Sequence, residues 1–513
     1  MVIYNPDPVE LAESAARRGV RLTVGEAEML ASLARGTFDG CQRLGAVDAY
    51  ELDARHPRTA GSRPRSGQNP YNGWVWRCDV PGGEGRLLSG QQVVLKDIIP
   101  VAGQPMTAGS VALEGHTAAF DATVVTRVLD AGGRITGLAT TEDMCLSGAS
   151  VSAATGQVRN PRDVSRSAGG SSSGVAALVA SGAVDSGIGA DQGGSIRIPS
   201  SLCGVYGLKP TYGLVPYTGC APIDPSLDHL GPIAGTVESL ARLLQAIAGF
   251  DDGLDPRQTN RTESENYLEH LEEGGSLRVG MLREGFEREG LSDPEVDRIV
   301  RQTAERLKDL GHEVVEVSSA LHSSAMDVHG SLLLQGAAQH MIGAGGVGPI
   351  GKGFYDERVG LIASAALERR GDGLFASVKF AAAVGGYLWD KFGGAYYARA
   401  QNVALSMGRQ YDALLRDVDV LLMPTTCIQA PTLPLSDVPD LASVELALSP
   451  ALISNTCGFN HTGHPALSVP VPGPNDLPVG VMLVGSKFGE ATILRLARDL
   501  ERADLTITTK RAR

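Results

Sequence analysis

The sequence predicts an α/β layered fold. Short apolar runs that read as strands alternate with amphipathic helical patterns from about residue 85 to the end. The composition, 43% hydrophobic and 20% charged, is that of a globular protein with a sizeable core. The 513 residues show no fixed-period repeat. That length exceeds the ~100–200 residues of an ordinary domain, which leaves one large α/β domain with additions, or two or three domains.

The elements follow in order. Asp7-Pro8 places a cap residue before a proline at the first helical position. Thr23-x-x-Glu26 is a capping box ahead of Met29, Leu30 and Leu33 at helical spacing, with Gly36 able to end that helix. Residues 56–76 are rich in Pro, Gly, Ser and Asn and read as a linker. Residues 1–70 are therefore expected to form a helical extension to a main α/β domain over 71–513. Within the latter, Val93-Val94-Leu95 reads as a strand ending at Lys96. Residues 121–131 form a helix with Val124, Val125, Val128 and Leu129 on one face, stopped by Gly132-Gly133. A strand over 135–139 and a small-residue helix over 174–182 follow. Further strands are expected at 277–282, 313–317, 418–423 and 479–484, and helices at 294–310 and 490–503. Two stretches lack periodicity, 165–201 and 322–394. The second reads as an insertion that covers a pocket.

Charge and composition exclude some functions. A net charge of -13 repels phosphate backbones, so no nucleic-acid partner is expected. The N-terminal segment lacks the apolar core of a secretory signal, and the apolar stretch near 174–184 is too short to span a bilayer, so no membrane partner is expected. Seven scattered cysteines, an odd number with no CxxC, read as free thiols in a reducing compartment, which points to the cytoplasm.

The chemistry concentrates in residues 167–199. Two glycine- and serine-rich loops, 169–174 and 191–195, flank the small-residue helix. A flexible linker would not embed Val175–Val179 or end in Ile196-Arg197-Ile198-Pro199, so these glycines mark unusual backbone or close approach. Consecutive N–H groups at Gly193-Gly194-Ser195 can converge on an anion, and the Ser195 hydroxyl would lie beside them. Those are the parts that acyl transfer needs, a nucleophile and oxyanion donors. None of the ten histidines presents itself as the base. Lys96 does, because it ends an apolar strand, and burial can make a lysine neutral.

These motifs resemble the amidase signature family of serine hydrolases, and among them the bacterial amidases that accompany nitrile hydratases. The resemblance rests on Gly169-Gly170-Ser171-Ser172, on Asp191-Gln192-Gly193-Gly194-Ser195-Ile196-Arg197 and on Val94-Leu95-Lys96-Asp97 upstream. Gly204-Val205-x-Gly207-x-Lys209-Pro210-Thr211, Asp228-His229-Leu230-Gly231-Pro232 and Thr462-Gly463-His464-Pro465 extend it to roughly residues 70–510. It implies a mixed central β-sheet covered by helices. It also implies a Ser–cis-Ser–Lys triad, with Ser195 as nucleophile, Ser171 after a cis peptide from Gly170 as proton relay, and Lys96 as base. The backbone of Gln192, Gly193, Gly194 and Ser195 would form the oxyanion hole. Ser172, Asp191 and Arg197 would support it, and Cys145 and Ser147 would border the substrate. Ser173 and Val175 depart from the family pattern, which usually has Gly at the first position and Ser or Glu at the second.

The implied reaction cleaves the C–N bond of a small-molecule carboxamide to a carboxylic acid and ammonia or an amine, through an acyl-enzyme on Ser195. The alternatives are a hydrazide, carbamate, anilide, ester or cyclic amide as substrate, or an ammonia-releasing component of an amidotransferase complex. A catalytically dead binding module is disfavoured by the intact Lys96, Ser171 and Ser195. No metal or organic cofactor is expected, and a homodimer through the N-terminal helices is. Gly170-Ser171-Ser172-Ser173-Gly174 also fits a nucleophile elbow, but no strand is expected at Arg166-Ser167-Ala168 to lead into it. Gly343-x-Gly345-x-x-Gly348 lacks a leading strand, Gly346–Lys352 is followed by Gly353 where a Walker A needs Ser or Thr, and His461-x-x-His464 reads as loop rather than metal site.

Overall fold

The computed structural model describes residues 4–65, 67–258, 264–347, 351–435 and 440–509. The glycine run at 343–353 thus lies partly outside the described residues. The chain forms two compact units, Met1–Glu51 and Leu52–Arg513. No described helix is long and apolar enough to cross a membrane.

In the first unit, helices span Pro8–Ala16 and Val24–Leu44. Asp7 and Thr23 cap them, each in a reciprocal capping box with the Glu three residues on. The second helix continues past Gly36. An interior glycine costs only about 1 kcal/mol relative to alanine, too little to stop a well-capped 21-residue helix.

The second unit is built on strands β1 Trp74–Val80, β2 Gln92–Lys96, β3 Arg134–Ala139, β4 Arg159–Asn160, β5 Asp163–Ser167, β6 Ser186–Asp191, β7 Tyr206–Lys209, β8 His229–Ala234, β9 Arg278–Leu282, β10 Glu313–Val317, β11 Val420–Pro424, β12 Ala466–Pro472 and β13 Pro478–Val484. Eleven form one sheet, in the order β1-β3-β2-β6-β8-β7-β12-β13-β11-β9-β10. It is mixed: β3, β2 and β6 run parallel, as do β11, β9 and β10, and the other pairings are antiparallel. Helices cover both faces, so central strands such as β13 are buried along their whole length and read as continuous apolar runs.

The interval 56–76 is not a free linker. Arg58 makes a two-pronged ion pair with buried Asp121, at 2.6 and 2.8 Å, and Trp74 opens β1 against β3. The break between units accordingly falls at Glu51/Leu52 rather than near residue 70. The aperiodic stretch 322–394 is largely helical, with helices at Ala325–Gly336, Glu357–Arg370 and Gly386–Phe392. Its first helix buries Ala325, Val328, His329, Leu332, Gln335 and Gly336 on one face, where polar His329 and Gln335 interrupt the apolar stripe.

β6 is another element that composition hides. A methyl group on Gly187 would come 2.6 Å from Val175 Cγ1 and 2.7 Å from the Val94 carbonyl. Glycine there lets the helix Ser173–Ala180 lie directly on the sheet, and Val175, one of the two departures from the family pattern, fills that contact. Contrary to the expectation at Arg166-Ser167-Ala168, a strand does precede Ser171, as β5. It pairs with β4 and, at Arg166, bridges to Thr432 outside the main sheet, and Ser171, Ser172 and Ser173 are fully buried rather than raised on an exposed elbow.

Candidate active site

Three adjacent parallel strands end at one edge of the sheet. Lys96 is the last residue of β2, level with Ala139 of β3, while Leu95 is level with Ile188 of β6. β3 runs on into Thr140-Thr141-Glu142, and β6 into Asp191 and the loop Gln192–Ser195. Parallel strands bring their carboxyl ends to the same edge, which is where such sheets collect functional groups.

Lys96 is fully buried. Its Nζ lies 2.7 Å from Ser171 Oγ and donates to the Ala190 carbonyl at 3.2 Å. Burial holds the Lys96 ammonium below its ordinary pKa, although Cys145, Asp191 and Glu142 act in the opposite direction. The Gly170–Ser171 peptide bond is cis. The Ser171 carbonyl accepts from Thr141 Oγ1 at 2.8 Å. Ser172 Oγ donates to the Ala190 carbonyl at 3.2 Å, so Lys96 and Ser172 share one acceptor.

Ser195 is brought to this cluster through its backbone, its carbonyl accepting from Ser172 N at 3.1 Å. It is the partly exposed member of the group. Among the described residues, the N–H groups of Gln192, Gly193, Gly194 and Ser195 donate to no protein acceptor. Their loop is clamped from behind. Arg197 and Asp191, both fully buried, form a two-pronged ion pair at 3.0 Å. Arg197 also donates to the Thr456 carbonyl at 2.8 Å and Asn460 Oδ1 at 2.7 Å, and Asn460 Nδ2 donates to the Asp191 carboxylate at 2.9 Å. Burial alone would raise the Asp191 carboxyl, but Arg197, Asn460 and the Ile196 N–H together hold it well below the usual carboxylate range. Thr456 Oγ1 donates to the Gly193 carbonyl at 2.6 Å. Thr456 and Asn460 are invisible to sequence reasoning, because they arrive from far along the chain without a local motif.

Glu142 is a third residue that sequence reasoning misses. Its Oε2 accepts from Val151 N, Ser152 N and Ser152 Oγ, each at 2.9 Å. Its Oε1 accepts from Ser173 Oγ at 3.1 Å. Ser173 thus ties the 169–174 loop to the 142–152 segment, which is the structural use of that departure. Burial raises the Glu142 carboxyl, against these hydrogen bonds. The same segment places Cys145 beside Lys96, its Sγ 3.4 Å from Thr141 Oγ1. Ser147 is buried, and its Oγ accepts from Ala149 N at 3.2 Å. On the other side, Gln192 Nε2 donates to Asp228 Oδ1 at 2.9 Å and to Tyr217 Oη at 3.3 Å. Beyond Gln192 is a cavity of about 60 Å³ lined by Tyr217, Cys220, Asp228, Arg257, Phe354 and Asp356, among others. Burial pushes Asp228 up to about 7.

His461 and His464 do not act together. His464 pairs with Asp412 at 3.0 Å, and His461 lies in the short helix Gly458–Thr462 and faces His329. Among the described residues, His329, Cys457 and His461 are the one set of side chains that could hold a metal ion.

The sequence model of the Amidase family matches residues 77–494. An enantioselective amidase of Rhodococcus rhodochrous is 41% identical over 453 residues, covering 87% of this chain and 86% of that protein. Among solved structures, a glutamyl-tRNA(Gln) amidotransferase component of Thermotoga maritima has a TM-score of 0.68 at 28% identity, covering 84% of this chain and 88% of its own. The native peptide amidase of Stenotrophomonas maltophilia has a TM-score of 0.64 at 27% identity, covering 83% and 85%. The protein is thus an α/β enzyme that hydrolyses an amide carbon–nitrogen bond. It belongs to the Amidase family.

Proposed function

We propose that the protein hydrolyses a small-molecule carboxamide through an acyl-enzyme on Ser195, with Ser171 relaying protons to Lys96. The observation that carries this reading is the fully buried Lys96 with its Nζ 2.7 Å from Ser171 Oγ. A lysine held below its ordinary pKa there can be a neutral base. Lys96 takes the Ser171 hydroxyl proton as Ser171 takes that of Ser195, and the Ser195 oxygen bonds to the amide carbon. The N–H groups of Gln192, Gly193, Gly194 and Ser195 stabilise the oxyanion. The proton returns through Ser171 to the leaving nitrogen, the C–N bond breaks, and ammonia or an amine departs. Water then repeats the cycle on the ester, releasing the acid. Ser172, Asp191 and Arg197 hold the loops, and Cys145 and Ser147 border the substrate. The relay needs side chains alone, with no metal or organic cofactor.

The Leu52–Arg513 unit carries this activity. The 322–394 segment contributes Phe354 and Asp356 to the cavity beyond Gln192, in keeping with a pocket cover. Seven free thiols fit a cytoplasmic enzyme. A homodimer would use the helix Val24–Leu44, where Met29 and Leu33, four residues apart, are 56% and 69% exposed. A single monomeric species in sedimentation would reject that dimer.

The test is intact mass after exposure to a serine-directed fluorophosphonate. Wild type should gain one adduct, while Ser195→Ala and Lys96→Ala should not gain it efficiently. Equal labelling of Ser195→Ala would place the nucleophile elsewhere, with Ser172 first to examine. The likeness to an amidotransferase component supports a second reading, ammonia release within a complex. Copurification with partner proteins would favour it, and hydrolysis of free amides by the isolated chain would favour the first.

A further inference from the structure

Behind the Gly193 loop, two helices each present two soft or borderline donors on one face. Ala325–Gly336 carries Met326 and His329 three residues apart, and Cys457 and His461 are four apart, at the cap of Gly458–Thr462 and within it. At those spacings side chains on a helix are neighbours. His329 Nδ1 lies 3.1 Å from His461 Nε2, and the rings stack with centroids 5.3 Å apart. One ligand atom from each of His329, Cys457 and His461 lies within 4.8 Å of the others. Met326 Sδ is 3.8 Å from Cys457 Sγ.

We propose that His329, Cys457 and His461, with Met326 as a weaker fourth donor, form a site for a thiophilic transition-metal ion, zinc(II) being the probe. With Zn–N near ~2.0–2.1 Å and Zn–S near ~2.3 Å, a tetrahedral ion needs its nitrogens roughly 3.3 Å apart and each nitrogen about 3.5 Å from sulfur. The present spacing therefore needs small side-chain adjustments and no refolding. Two imidazoles, a thiol and a thioether select soft or borderline ions over magnesium or calcium. The remaining ring nitrogens, His329 Nε2 and His461 Nδ1, are buried and have no hydrogen-bond partner among the described residues, so the pair is not locked by a surrounding polar network. Burial lowers His329 to about 4 and holds His461 well below its ordinary value, so both rings are neutral and keep a lone pair. It also raises the Cys457 thiol to about 12, so the incoming ion must displace that proton: RSH and Zn²⁺ give RS–Zn⁺ and one H⁺ released to solvent. His461 also lines a cavity of about 410 Å³ together with Tyr212, Asn460, Thr462 and Lys487, the side from which an ion would approach.

The site sits against the reaction centre. A methyl group built on Gly193 would come 2.5 Å from His329 Cε1, and Thr456, next to Cys457, holds the Gly193 carbonyl. An ion drawing His329 and Cys457 together moves two supports of that loop, so occupancy should slow hydrolysis.

The experiment uses the full chain with exposed Cys41 replaced, Cys41→Ser, as background. Equilibrium dialysis against zinc(II) with metal analysis should retain one ion per chain. Cadmium(II) should raise a sulfur-to-metal charge-transfer band that saturates at the same stoichiometry. Cys457→Ala should lose the band and weaken zinc retention at least tenfold, and Met326→Leu should weaken it less. Should Cys457→Ala fail to fold, His461→Gln carries the same test through zinc retention. A band that persists undiminished in Cys457→Ala, or no ion retained by wild type, overturns the site. Fluorophosphonate labelling should slow in step with occupancy and recover on chelation. That last readout rests on Ser195 as nucleophile, whereas retention and the band do not, so the two readings fail separately.

Discussion

Replacing Lys96 by methionine separates the charge state of the lysine from its packing. In the folded protein Lys96 is fully buried, and its ammonium is held below its ordinary pKa by desolvation. In the unfolded chain it titrates near ~10.4. Between these two values the unfolded state binds one more proton than the folded one, so this lysine makes wild-type stability rise with pH by about 1.4 kcal/mol per pH unit. Below the folded pKa both states hold the proton and the slope vanishes. Lys96→Met removes the slope. It also leaves the Ser171 hydroxyl without its partner at 2.7 Å, a pH-independent cost of about 1–3 kcal/mol. The informative quantity is therefore the difference between the two proteins as a function of pH, in which that constant cancels. Urea unfolding of both, followed by tryptophan fluorescence at several pH values from neutral to about one pH unit below the ordinary lysine value, should show wild type gaining on the variant toward high pH. Methionine at 96 should also lower kcat/KM by about 10²–10⁴-fold, as loss of a general base does. Stability curves that stay parallel across the range would mean that Lys96 remains protonated when folded, and would refute its role as a neutral base.

Gly193→Ala should lower kcat/KM by about 10²–10³-fold with the circular dichroism spectrum unchanged, because the methyl would meet His329 at 2.5 Å and displace one of the proposed oxyanion donors; near-normal activity would show that the loop has room. Arg197→Met leaves the Asp191 carboxylate buried without its cation and should cost about 3–5 kcal/mol in urea unfolding. Combining it with Asp191→Asn should cost less than the sum of the two single changes, and strict additivity would deny the coupling. Ser173→Gly removes one hydrogen bond to Glu142 and should cost about 0.5–1.5 kcal/mol while leaving kcat/KM within about threefold of wild type. Arg58→Ala should destabilise the Leu52–Arg513 unit by about 3–5 kcal/mol, since Asp121 is 1% exposed beneath it; no change would return residues 56–76 to the status of a linker.

The strands legible in the sequence are those whose apolar runs are continuous, such as Val93–Leu95 and Val479–Val484, because burial on both faces writes itself directly into composition. β6 is illegible for the opposite reason. Its Ser-Gly-Ile-Gly-Ala-Asp run is shaped by a helix pressing on Gly187, a demand that no local propensity records. The helices of 322–394 are hidden because the first of them puts His329 and Gln335 on its buried face and leaves Met326, Leu333 and Leu334 off it, which blurs the apolar period. At the site, Lys96, Ser171, Ser172, Asp191, Ser195 and Arg197 belong to compact motifs and can be named from sequence. Glu142, Thr456, Asn460 and the His329–His461 contact cannot, since each joins segments that are distant in the chain.

What the sequence determined by itself was the chemistry available: a lysine closing an apolar strand, two glycine-serine loops, and an arginine two residues beyond the second. Which groups meet was decided only by the tertiary structure. Parallel pairing of β3, β2 and β6 brings their carboxyl ends to one edge, and packing there strips water from Lys96 and sets it against Ser171. Burial is a property of the assembled layers, and the lowered basicity of that lysine comes from burial.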